Sequence, residues 1–177
     1  MPDKRLIFSQ EEIAGRVREL GGVLTRDYSG RDLLVIGVLN GSFMFMADLV
    51  RAIRLDLQID FIRAASYGMS TSSSGEVTIL KEVALDIRDR NILVVEDIVD
   101  TGLTLSCLLN YFIERGAGSV RTCALIDKKE RRRVGIKIDY TGFEVREGFL
   151  VGYGLDCRER YRQLAGVYCL ETPDSKE

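Results

Sequence analysis

Two stretches of this chain are apolar at every position: Leu33 to Leu39 (Leu-Leu-Val-Ile-Gly-Val-Leu) and Ile92 to Val95 (Ile-Leu-Val-Val). A strand with one face in water alternates apolar and polar residues. A continuous apolar run of strand length belongs to a strand covered on both faces, the situation of a parallel sheet between two layers of helices. The segments around these runs supply the helices. Ser9-Gln10-Glu11-Glu12 is a capping box ahead of Ile13, Val17, Leu20 and Leu24, which recur at helical spacing. Asn40-Gly41-Ser42 breaks the first run, and Phe45, Met46, Leu49, Val50 and Ile53 form the stripe of a second helix. A third helix is expected from about Leu103 to Arg115, with Gly116 ending it. Further strands are expected over Leu57 to Ala65, Val77 to Val83, Asn91 to Val95 and Val120 to Ile126. Short strand pieces follow at Ile136 to Ile138, Phe149 to Tyr153 and Val167 to Leu170. This alternation predicts an α/β fold, a mostly parallel central sheet flanked by helices, with the tail after Ala124 forming a small hood beside it. With 177 residues, no internal repeat and no linker, the expected unit is a single domain over residues 1–177.

Composition removes several classes of function. The net charge of -2 gives no bulk attraction to nucleic acid or a membrane surface, and no apolar stretch has the length to span a bilayer. Four cysteines without CxxC spacing, and no signal peptide, point to packing thiols in a reducing cytoplasm. The chain has no histidine. Histidine bases and histidine metal sites are therefore excluded, and proton transfer falls to Asp, Glu, Lys, Arg, Tyr or Cys.

The second apolar run stops at Glu96 and Asp97. Asp100 follows, and Thr101-Gly102-Leu103-Thr104 opens the third helix. Ligands of open α/β sheets gather at the carboxyl ends of the strands. A glycine turn, amides at a helix N-terminus and two threonine hydroxyls make a phosphate cradle there. Capping the helix accounts for one Asp or one Thr, not for three acids in five positions. A phosphorylated sugar, with hydroxyls to hold and a metal-bound pyrophosphate to lose, suits the set. Ser66 to Glu76 is small, polar and glycine-containing, as expected of a mobile loop. Lys128 stands at a strand end, while the basic run it opens, Lys128 to Arg133, reads as a solvated turn or a weak polyanion patch.

The segment from Glu96 to Thr104 resembles the loop with which type I phosphoribosyltransferases bind 5-phosphoribosyl 1-pyrophosphate. Other segments narrow the resemblance to the hypoxanthine (hypoxanthine-guanine) phosphoribosyltransferases. Val38 to Phe43, running on to Asp48-Leu49, is similar to their pyrophosphate loop and following helix. Ser66-Tyr67-Gly68 is similar to their catalytic lid. Lys128, Phe149 to Asp156 and Tyr161-Arg162 are similar to their purine-binding hood. The resemblance implies that Glu96 and Asp97 hold the ribose hydroxyls near Mg2+, that Asp100 takes the N7 proton of the purine, and that Thr101, Gly102, Leu103 and Thr104 hold the 5-phosphate. Leu103 offers only its backbone N–H. Lys128 would donate to O6 of the base, Phe149 would stack on it, and Leu150 would offer backbone groups. Asp156 would bind a magnesium ion with Glu96 and Asp97. Asn40, Gly41 and Arg162 would meet the pyrophosphate, and Ser66 and Tyr67 would belong to the lid. Many family members carry lysine at the position of Asn40, next to a non-proline cis peptide; asparagine brings no cation there.

The implied activity is transfer of the 5-phosphoribosyl group to N9 of hypoxanthine or guanine, giving IMP or GMP and pyrophosphate in purine salvage, by a homo-oligomer (dimer or tetramer). Two alternatives stay open. One is a phosphoribosyl-pyrophosphate-sensing regulator that binds nucleic acid through Lys128 to Arg133, against which the negative net charge stands. The other is a phosphoribosyltransferase that prefers xanthine.

Overall fold

A computed structural model describes residues 3–66 and 77–171. The elements in chain order are β1 (Lys4–Phe8), α1 (Gln10–Asp27), β2 (Leu33–Leu39), α2 (Phe43–Ala52), β3 (Gln58–Ser66), β4 (Val77–Lys81), β5 (Asn91–Val99), α3 (Leu103–Glu114), β6 (Ser119–Lys128), β7 (Tyr140–Val145), β8 (Phe149–Val151) and β9 (Val167–Leu170). The main sheet has the order β4-β3-β2-β5-β6-β7, and only β4 runs antiparallel to its neighbour.

The two continuous apolar runs sit side by side in the middle, with Leu33 opposite Asn91 and Gly37 opposite Val95. Successive residues feed opposite faces. Leu33, Val35, Leu93 and Val95 pack with α1 and α2, whereas Leu34, Ile36, Ile92 and Val94 pack with Leu105, Leu108 and Phe112 of α3. All eight strand residues are fully enclosed. Each such aliphatic side chain contributes on the order of 1.5–3 kcal/mol by leaving water. The helix starts follow the expected local chemistry. At α1, Ser9 Oγ accepts from the Glu12 amide at 3.2 Å and the Glu12 carboxylate accepts from the Ser9 amide at 2.7 Å.

Three expectations change. β5 does not end where its apolar run stops. It continues to Val99 because β6 runs on beside it to Lys128, pairing Glu96 with Ala124 and Val99 with Asp127, so Glu96 and Asp97 are strand residues rather than loop residues. Ile136 to Ile138 is not a strand; it packs at the edge of the α3-side core, and the sixth strand of the main sheet is Tyr140–Val145. The small hood is an antiparallel sheet in the order β1-β9-β8. The C-terminal strands are therefore joined by an N-terminal one, a charged strand (Lys4, Arg5) with no apolar alternation to mark it. The hood docks on the main sheet through Phe8, whose ring stacks on Phe143 with centroids 4.0 Å apart.

Candidate active site

Three chain segments meet at backbone distance at the carboxyl end of the central strands. A methyl group placed on Gly41 would lie 1.8 Å from Oδ2 of Asp97, and one on Gly154 would lie 2.0 Å from the carbonyl oxygen of Gly41. The loop after β2, strand β5 and the hood therefore touch where any side chain would wedge them apart. The Leu39–Asn40 peptide is cis.

The turn from β5 into α3 is left without a side-chain N-cap. Gly102 occupies the N-cap with φ 81° and has no side chain to cap the helix. The Leu103 amide makes one long bond, 3.4 Å, to Thr101 Oγ1. Asp100 thus does not cap the helix, and Thr101 does so only through that one long bond. Oδ1 of Asp100 is buried and has no hydrogen-bond partner.

Two cavities adjoin here. The first, about 280 Å³, is lined by Asn40, Gly41, Glu96, Thr101, Gly102, Thr104 and Arg162 among others. The second, about 210 Å³, is lined by Lys128, Arg131, Phe149, Leu150 and Leu155. Asp97, Ile98, Asp100 and Asp156 line both. Asp100 thus stands at their junction, with its Oδ2 3.8 Å from Nζ of Lys128. Lys128 is buried, and its ammonium also meets Glu130 at 3.0 Å. Phe149 is 51% exposed, so its ring is not a core aromatic, while Leu150 behind it is buried. Asp156 accepts from the Glu159 amide at 2.8 Å and forms an ion pair with Arg162 at 2.9 Å, and Arg162 donates to Gly154 O at 2.7 Å. Leu103 lines neither cavity. Ser66 is the last residue of β3; Tyr67 and the rest of the stretch to Glu76 lie outside the described residues.

Enclosure pushes the Glu96 carboxyl well above the usual carboxylate range, and the neighbouring Asp97 charge pushes it further. Burial likewise raises Asp97, partly offset by hydrogen bonds to its charged form. Two adjacent carboxylates of this kind, Asp97 buried and Glu96 partly so, are under-neutralised, which is the condition a hard cation relieves. Magnesium takes one or two carboxylates and completes its shell with water and substrate phosphate. Glu96 and Asp97 fit that demand.

The basic run is the solvated turn its composition suggests at Lys129, Glu130, Arg131 and Arg133, which are exposed, while Lys128 and Arg132 are drawn inward. Lys128 points inward, Lys129 pairs with Asp127 and Glu144, and the guanidinium of Arg132 donates to the carbonyls of Val99, Asp100 and Lys128 and pairs with Asp127. Arg132 is the residue that sequence reasoning passed over. Its one signal is its place just before Val134 and Ile136, apolar residues that line the same turn against Gly102.

Known proteins resemble this chain in sequence and fold. A family model described as Phosphoribosyl transferase domain matches residues 6–158. The hypoxanthine-guanine phosphoribosyltransferase of Bacillus subtilis is 48% identical over 168 residues, covering 95% of this chain and 93% of the relative. The enzyme of the same name from Streptococcus mutans is 46% identical with the same coverage. A crystal structure of a hypoxanthine phosphoribosyltransferase from Staphylococcus aureus superposes with a TM-score of 0.91 at 40% identity, covering 94% of this chain and 91% of that one. By matched family model and by identity over nearly its full length, the chain belongs to the phosphoribosyl transferase domain family.

Proposed function

We propose that the chain transfers the 5-phosphoribosyl group of 5-phosphoribosyl 1-pyrophosphate to N9 of hypoxanthine or guanine, releasing pyrophosphate. The observation that carries this is the meeting of two cavities at Asp100, one lined by a phosphate cradle and paired acids, the other by an ammonium and an exposed ring. The amides and hydroxyls of Thr101 to Thr104 hold the 5-phosphate, Leu103 through its backbone only. Glu96 and Asp97 hold the ribose hydroxyls, and their negative charge stabilises the positive charge that develops on the sugar as the C1–O bond weakens.

Asp100 accepts the N7 proton as N9 attacks. Lys128 donates to O6 and so favours 6-oxopurines over adenine, which presents an amino group there. Phe149 stacks on the base and Leu150 presents its backbone to the base edge. Asn40, Gly41 and Arg162 face the pyrophosphate, with Asn40 contributing no charge. Ser66 and Tyr67 belong to a lid that excludes water from the activated sugar. Glu96, Asp97 and Asp156 would hold magnesium, which when bound would supply positive charge to neutralise the leaving pyrophosphate.

A single phosphoribosyltransferase unit, a homo-oligomer of two or four copies and a cytoplasmic location belong to the same proposal. Among the described residues no helix is long and apolar enough to cross a membrane. Incubation with hypoxanthine, the activated sugar and magnesium, with the nucleotide product resolved by chromatography, tests the activity. IMP should form and should vanish on chelation; no IMP with magnesium present overturns the proposal.

A further inference from the structure

We infer that Arg132 is a positioning residue for this reaction: its guanidinium sets the place of the Asp100 carboxylate relative to the Lys128 ammonium. The inference rests on the roles proposed above for those two groups.

The backbone ladder between β5 and β6 ends at the pair Val99 and Asp127. Beyond it the strands part. β5 turns into the phosphate cradle and β6 into the turn that follows Lys128. The two groups that would face N7 and O6 of the purine sit just past this point, one on each strand, where no backbone bond joins them.

The side chain of Arg132 spans the gap. Its Nε donates to Asp100 O at 2.9 Å, and its Nη2 donates to Val99 O at 2.9 Å and Lys128 O at 3.2 Å. The same group pairs with the Asp127 carboxylate. The backbone beside it adds to the tie, with the amides of Arg133 and Val134 donating to Thr101 O at 2.9 and 3.4 Å.

Two features separate this from an ordinary surface arginine. The Arg132 and Asp127 side chains are only 17% and 11% exposed, so the charge is enclosed and neutralised by a partner. The planar Nε–Nη2 edge of the guanidinium spans these acceptors, Nε serving the Asp100 carbonyl and Nη2 the Val99 and Lys128 carbonyls and the Asp127 carboxylate; an ammonium offers one nitrogen and cannot serve both ends of that edge. The stem of Arg132 further packs against the back of the cradle, its Cδ lying 3.2 Å from where a methyl on Gly102 would be. With Asp100 Oδ2 and Lys128 Nζ 3.8 Å apart, a displacement on the order of 1 Å changes which atoms of a bound base each can reach. Misplacement of that size costs about 10²-fold in rate.

The test compares Arg132→Gln and Arg132→Lys with the wild type, using hypoxanthine and adenine as acceptors and counting folded molecules by circular dichroism. For Arg132→Gln, kcat per folded molecule should fall about 10²-fold, KM for the activated sugar should stay close to wild type, and the preference for hypoxanthine over adenine should shrink. Arg132→Lys keeps the charge opposite Asp127 without the fork and should recover part of kcat. A purely structural role would lower the folded fraction but leave kcat per folded molecule and the base preference unchanged, and that result overturns the inference. If Arg132→Gln does not fold, the same comparison on Arg132→Lys decides. Wild-type turnover with unaffected variants removes Arg132 alone, whereas a wild type inert toward every base removes the proposed function with it.

Discussion

The two edges of the main sheet treat charge in opposite ways. At the amino ends of the strands, polar groups satisfy one another. Arg90 donates to both oxygens of Asp32 at 2.7 and 2.9 Å. Ser119 donates to Asn91, Asp139 accepts from the Thr122 amide, and Tyr140 bridges Asp27 and Arg121. At the carboxyl ends, Glu96 and Asp97 stand beside each other with their carboxyls pushed up by burial, and Asp100 Oδ1 has no partner. Buried polar groups without partners cost about 1–3 kcal/mol each. Two adjacent carboxyls pushed above their usual range, beside an unpartnered Asp100 oxygen, mark the carboxyl edge as the one that holds charge ready for something outside the chain. Tyr28 is the exception on the paired side, its buried hydroxyl also lacking a partner.

Substitutions can break this contrast in descending order of effect. Asp100→Asn should lower kcat about 10²–10⁴-fold with KM for both substrates little changed, while the melting temperature stays level or rises; an unchanged steady-state rate removes Asp100 from the proton-accepting role. Lys128→Ala should weaken 6-oxopurine binding and cut discrimination against adenine by about 10²-fold or more. Ratios of kcat/KM for the two bases check it.

Asp60 belongs to the self-satisfied class, away from the site. Burial raises its pKa, but amide bonds from Phe61, Leu85 and Ala84 outweigh burial, and the net shift is downward. A depressed carboxylate contributes stability at pH values above its unfolded pKa and loses it as pH falls through the lower folded value. Asp60→Asn should therefore cost about 1–3 kcal/mol in urea unfolding at pH 7, less in acid, with kcat untouched. Arg90→Gln, at a bridge whose Asp32 side is 65% exposed, should cost less than about 1 kcal/mol and nothing in rate. A large loss of activity from either of these last two would erase the distinction between the edges.

Periodicity made the central strands and helices legible, because Leu33 to Leu39 and the α1 stripe state their burial in residue type alone. It placed the end of β5 too early, since Glu96 and Asp97 are polar residues held in a strand by pairing with β6, a long-range fact. β1 and β7 escaped for the same reason: partners distant in sequence hold them, and their own patterns are weak. The acidic cradle was readable because its residues are adjacent. Arg132 was not, because a charged residue in a charged run looks solvated until the fold shows three carbonyls converging on it.

The most direct measurement is pyrophosphate release with magnesium and the activated sugar, run in parallel against hypoxanthine, guanine, xanthine and adenine. Release with hypoxanthine and guanine, and little with adenine, is expected from a site that joins the Asp100 junction to the Lys128 ammonium. Equal release with adenine, or none with either hypoxanthine or guanine, would contradict it.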